Sequence, residues 1–170
     1  ETEVNLNAVL ASNHYLKYSS QDHKTIQEIG EGTKAFCLDP SRIYLNKKGK
    51  YPLGAVSAAD EEQILSELHE LFKDLTFNGS SILEAIYRKE EIYHGPYLEH
   101  APDLILRSKP GYDLKAAVTR KEHFTKSGLN GMHTWDDAFC YLSDANLSVT
   151  SIFDFKALIL RHLGINSSKT

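Results

Sequence analysis

Apolar residues at Val4, Leu6, Ala8 and Leu10 recur at every second position, a period that predicts a short strand or an extended opening segment. Arg42, Ile43, Tyr44, Leu45 and Asn46 are rich in β-branched and aromatic side chains and run into Lys47, Lys48, Gly49 and Lys50, which predicts a strand and then a polar turn. Between 60 and 75 the period becomes helical. Ile64, Leu68, Leu71 and Leu75 share one stripe, Leu65 and Phe72 lie beside it, and Glu and Lys occupy the far side. Ser57 followed three residues later by Asp60 has capping-box spacing, and acids crowd the first turn, where the helix dipole favours them.

Further on, Ile82, Ala85, Ile86, Tyr87, Ile92 and Tyr93 predict one strand, or two broken near Lys89, bounded by Gly79 and by Gly95 with Pro96. Leu104, Ile105 and Leu106 form an unbroken apolar run between Pro102 and Pro110, as expected of a central strand covered on both faces. Residues 138–142 predict a second such strand. Residues 152–163 predict a mostly buried helix, stopped by Gly164 at the position of a left-handed cap. The polar stretch 19–24 predicts a loop and 167–170 a frayed end. Strands alternating with helices place the chain in the α/β class.

With 170 residues, 41% of them hydrophobic and 25% charged, the composition is that of a globular protein rather than a disordered one. The net charge of -4 and pI near 6.1 supply no basic field, so neither a nucleic acid polymer nor an anionic membrane is an expected partner. Apolar runs such as that at 157–160 are far short of the roughly 20 residues that span a bilayer. The two cysteines, Cys37 and Cys140, both sit in apolar surroundings, which predicts free buried thiols and a reducing, cytoplasmic compartment. The chain opens Glu1, Thr2, Glu3, its one methionine is Met132, and no apolar leader precedes the first element, so it is expected to begin within a longer protein.

Candidate chemistry rests on eight histidines. His69 lies on the predicted helix without a second histidine four residues away, and His162 falls near the end of the last helix, where the dipole favours a cation; both read as structural. His14, His23, His94, His100 and His123 have no partner spacing. His133 differs in context: Asn130, Gly131, Met132, His133, Thr134, Trp135, Asp136 and Asp137 lead into the apolar run at Ala138. Gly131 permits close backbone approach or a positive φ, and the acids are available as outer acceptors to a metal-bound imidazole. From these residues alone, metal ligation and a histidine-capped polar turn both stand.

Several stretches, taken in order, resemble the C-terminal portion of the alkaline phosphatase superfamily, specifically its type I phosphodiesterase and nucleotide pyrophosphatase branch. They are Thr33 to Phe36 (TKAF), Arg42 to Gly54 (RIYLNKKGKYPLG), Tyr87 to Gly95 (YRKEEIYHG), Ala101 to Leu106 (APDLIL), Gly111 to Leu114 (GYDL) and Gly131 to Phe139 (GMHTWDDAF), followed by a helix closing in Leu163, Gly164 and Ile165. The resemblance covers about residues 4–166. Lys50 departs from it, standing where the family usually has Arg, and a point charge does not replace a planar fork.

The resemblance implies a single C-terminal portion of an alkaline-phosphatase-like three-layer α/β fold, a mixed sheet with flanking helices. Residues up to about 130 would supply lobe and sheet segments, and 131–166 the metal-histidine loop, a strand and the closing helix. It further implies a metal-dependent phosphohydrolase acting on a small phosphate ester through two divalent ions, taken as zinc, with His133 ligating one of them. The nucleophile and most other ligands would lie upstream, in a missing N-terminal part of the same protein. Because a catalytic zinc takes three protein ligands, this chain by itself is expected to be inactive and to carry no tightly bound metal. No catalytic role passes to Tyr44, Asn46, Asp103, Asp136 or Asp137, which read as packing or loop anchors. A sheet edge left without its upstream neighbour is expected to recruit a second copy as a dimer. An autonomous non-catalytic binding domain is the competing reading, and within the superfamily a mutase, sulfatase or phosphotransferase stays open.

Overall fold

A computed structural model of the chain describes every residue except 127, 129–130, 132–137, 145 and 166–170. The chain divides into two units, Glu1–Met132 and His133–Thr170.

The first unit opens with strand β1 (Thr2–Asn5), which passes directly into helix α1 (Leu6–Ser12). The alternation that predicts an extended segment to Leu10 therefore holds only as far as Asn5. Val9 is the reason: it falls where a strand would present a polar residue, and Leu6, Asn7, Ala8, Val9 and Leu10 are all buried, so the segment is enclosed on every side. Strands β2 (Ala35–Cys37) and β3 (Arg42–Leu45) pair antiparallel, and the polar turn predicted after β3 forms.

Helix α2 (Glu61–Lys73) buries Ile64, Leu68 and Phe72, so its apolar stripe runs through Phe72, with Leu65 and Leu71 at the flanks and Leu75 just beyond its end, all three partly buried. Asp60 is its N-cap without a side-chain cap bond; Ser57 Oγ instead donates to the Asp60 carboxylate at 2.5 Å, so the expected capping box does not close. The hairpin β4 (Thr76–Phe77) and β5 (Ser80–Ser81) leads into β6 (Leu83–Arg88), and the predicted break at Lys89 is a helical turn, α3 (Lys89–Ile92). Strands β7 (Leu104–Ser108), β8 (Tyr112–Lys115) and β9 (Phe124–Lys126) complete the unit.

Two sheets organise these elements. An antiparallel sheet runs β2-β3-β7-β6, placing the apolar run at 104–106 in its interior as predicted. A mixed sheet runs β8-β1-β9, with β1 parallel to β8 and antiparallel to β9. Asn7 ties them together: its Nδ2 donates to the carbonyls of Cys37 and Ala116 at 2.9 and 3.0 Å, and its Oδ1 accepts the Cys37 amide at 2.9 Å. The core between them is built from Val4, Leu6, Val9 and Leu10 with Phe36, Ile43, Leu45, Leu68, Phe72, Leu104 and Leu106. The chain is thus a mixed α/β protein.

The second unit departs from expectation. Residues 138–142 are not a strand, and Phe139 and Tyr141 are 95% and 84% exposed. An apolar run becomes a strand only where neighbours supply hydrogen bonds, and the unit's described residues hold a single regular element, helix α4 (Asp154–His162). Cys140 is accordingly exposed rather than buried, whereas Cys37 is buried as expected, and both are free thiols. Helix α4 has no buried residue, against the buried helix predicted. Its end is as expected: Gly164 has φ +68°, and Ile165 N–H donates to the Leu160 carbonyl at 2.9 Å, closing a left-handed cap. No helix among the described residues is long and apolar enough to cross a membrane.

Candidate functional site

His133, with Asp136 and Asp137, lies outside the described residues. Gly131 just before them is exposed, and a Cβ built there meets nothing within 4 Å among the described residues. Among the described residues no group of three or more His, Cys, Asp and Glu side chains is placed to hold a metal ion, so they do not make up a zinc donor set of their own. His69 is exposed beside Glu70, and His162 ends α4. His123 Nε2 lies 2.7 Å from Ser12 Oγ. His23 stacks on Tyr18 with ring centroids 3.4 Å apart, its two ring nitrogens 3.0 and 2.7 Å from the carbonyl oxygens of Ser20 and Val118.

Three of the six stretches that carry the family resemblance, 42–54, 87–95 and 101–106, meet elsewhere in the first unit, around an open pocket of about 300 Å³. Strand β3 builds one side. Its period of two sends Ile43 and Leu45 into the core and leaves Arg42 and Tyr44 on the other face, at the pocket. Tyr93 and His94 follow α3, Gly95 turns the chain at φ +106°, a conformation that a side chain resists, and Tyr97 and Leu98 lead into a single 3₁₀ turn. Ala101 and Pro102 complete the lining just ahead of β7. Arg42 pairs with Asp39, and that bond, aided by the Tyr93 hydroxyl, holds the guanidinium above its ordinary value. Burial pushes the Tyr44 phenol up.

The pocket is held in place by buried charge. The Asp103 carboxylate, 2% exposed, accepts the Leu45 amide at 2.8 Å through Oδ2, while Oδ1 lies 3.0 Å from Lys47 Nζ and 3.7 Å from Lys89 Nζ. Lys47 also bonds Glu61 in the first turn of α2 at 2.7 Å. Burial alone would lower the Lys47 ammonium, but its bonds to Glu61 and Asp103 outweigh that and leave it raised. One carboxylate thus gathers β3, β7 and α3, and α2 through Lys47. Asn46 works similarly on the turn, its buried Nδ2 donating to the carbonyls of Thr33 and Leu53 at 2.8 and 2.7 Å. Asn46 and Asp103 are anchors, as read from sequence. Lys50 donates to the backbone carbonyl of Glu99 at 2.6 Å, a contact that one ammonium satisfies without a planar fork.

No family model, curated protein or solved structure matches the chain. Sequence reasoning missed the pocket-lining Arg42, Tyr93, His94 and Tyr97. The available signal was the density of aromatic and ring-nitrogen side chains at 93–97 beside a glycine and a proline, which periodicity does not weigh.

Proposed function

We propose that this chain carries the C-terminal portion of a metal-dependent phosphohydrolase of the alkaline phosphatase superfamily, of the phosphodiesterase and nucleotide pyrophosphatase type. On this reading His133 is one ligand of a two-metal centre whose other ligands and nucleophile lie upstream. The observation that carries the reading is spatial. Three stretches of the resemblance that are separate in sequence, 42–54, 87–95 and 101–106, meet at one buried carboxylate, Asp103, which bonds the Leu45 amide and lies beside Lys47 and Lys89.

Two divalent ions in such a centre would activate a hydroxyl nucleophile and neutralise charge on the phosphoryl oxygens. The described residues contribute positioning: the Asp103 network fixes β3 and the 93–102 segment, which form the walls of a substrate-sized recess. The test uses the longer protein that this reading requires. Changing His133 to Ala there is expected to remove one metal equivalent by elemental analysis and to abolish hydrolysis of bis(p-nitrophenyl) phosphate. A variant that keeps both its metal content and its activity overturns the reading.

A further inference from the structure

We propose that the pocket between β3 and residues 93–102 is a binding site for a neutral polyhydroxylated ring, a monosaccharide unit. Its volume of about 300 Å³ sits at the small end of ligand sites, which run from roughly 300 to 1,000 Å³, and is enough for one six-membered ring with its hydroxyls. Three of its walls are phenols, those of Tyr44, Tyr93 and Tyr97. Each offers a flat apolar surface, which suits the C–H face of a sugar, and a hydroxyl that both donates and accepts.

Charge selects against the obvious alternative, an anion. Arg42 is the only Lys or Arg side chain in the lining, and its guanidinium is already paired with Asp39. An anionic ligand would have to compete with that carboxylate and would meet its repulsion at short range. A neutral ligand leaves the pair intact and takes up guanidinium N–H groups that Asp39 does not use, since Arg has five donors in one plane. A purely apolar ring would stack equally well but would desolvate the phenol and guanidinium groups without pairing them. A ring carrying vicinal hydroxyls meets both requirements.

The experiment titrates the 170-residue chain with D-glucose, D-galactose and D-mannose, and in parallel with inorganic phosphate and benzoate, read by saturation-transfer NMR. Free sugars test the pocket without any metal chemistry, so the outcome is independent of the phosphohydrolase reading. At least one sugar is expected to bind, with transfer to its ring C–H protons, and phosphate is expected not to displace it. Tyr97→Ala is expected to weaken binding by about tenfold or more with an unchanged thermal melt, since that side chain is 77% exposed. Arg42→Gln is expected to weaken it similarly. Failure of all three sugars to bind, displacement by phosphate or benzoate, or undiminished sugar binding in Tyr97→Ala would each overturn the proposal.

Discussion

Asp103 is bound to Leu45 side chain to backbone, its carboxylate accepting the Leu45 amide at 2.8 Å, and the Asp103 amide makes a second bond to β3, donating to the carbonyl of Ile43, two residues back, at 2.9 Å. The same carboxylate neutralises Lys47, whose side chain is 13% exposed. Removing it in Asp103→Ala leaves a largely buried ammonium with Glu61 alone and strands the Leu45 N–H, the kind of broken pair that costs about 3–5 kcal/mol. Urea denaturation is expected to show a loss of that size. Asp103→Asn keeps an acceptor for Leu45 and is expected to lose less. Equal stability of Asp103→Ala and the parent chain would remove the network from the account.

Gly54 makes the second anchor of the same region. A Cβ there would stand 2.2 Å from the Lys47 carbonyl oxygen and 2.6 Å from its carbon, backbone atoms that cannot swing aside. The turn after β3 closes only because this residue has no side chain. Gly54→Ala is expected to destabilise by more than about 2 kcal/mol, in the range of overpacking, and to perturb the Ala55 and Val56 amides that pair with the Asn46 carbonyl at 2.8 and 3.0 Å. A two-dimensional NMR spectrum of the variant checks both effects.

How much of this was legible beforehand follows from where the stabilising partners sit. β3, α2 and β7 bury stripes whose period is written in their own residues, and they appear where Ile43, Leu68 and Leu104 place them. The α1 segment was misread because a fully enclosed helix erases the polar face that would reveal it. The run at 138–142 was misread for the opposite reason: its apolar residues express a preference for burial, and among the described residues of its unit nothing covers them. The pocket was invisible because Arg42 and Tyr93 lie about fifty residues apart and meet only through tertiary packing. Asp103 was recognised as an anchor, but its partners Lys47 and Lys89 were not, since ion pairing carries no period.

Cys37 and Tyr18 contribute to the response to alkali, alongside Tyr15, whose phenol burial and Glu67 also push up to about 12. Burial pushes the Cys37 thiol from 9.0 up to about 12, and burial pushes the Tyr18 phenol from 10.0 up to about 12. Well below pH 9 both groups are protonated in the folded and unfolded chains and leave stability unchanged. From pH 9 the unfolded thiol ionises, and from pH 10 the unfolded phenol follows, while the folded forms hold their protons up to about 12. The unfolded state then binds fewer protons, so stability falls as pH rises across that window. Chemical denaturation at stepped pH is expected to show the fall, and Cys37→Ala is expected to remove the part that begins near 9. Tyr18→Phe makes a sharper test, because the Tyr18 hydroxyl is buried without a hydrogen-bond partner among the described residues. Deleting it costs no bond, so the variant is expected to match or exceed the parent in stability at neutral pH.

Helix α4 provides the last prediction, because its stability has so little to draw on. It is nine residues long with no buried side chain, and Phe153 and Leu163 at its ends are 87% and 63% exposed. Helices shorter than about 12–15 residues are marginal in water without tertiary packing. The Asp154 carboxylate accepts the Thr150 and Ser151 amides, each at 2.9 Å, and Gly164 caps the other end. Phe153, the N-cap, makes no side-chain cap bond, and end contacts of this kind contribute about 1 kcal/mol apiece, too little to hold the helix closed against exchange. Backbone amides of α4 are therefore expected to exchange with deuterium orders of magnitude faster than those of Leu104 and Leu106 in the sheet interior. If α4 proves equally protected at low protein concentration, a surface within the same chain covers its apolar side chains. If protection appears only as concentration rises, a second copy supplies the cover.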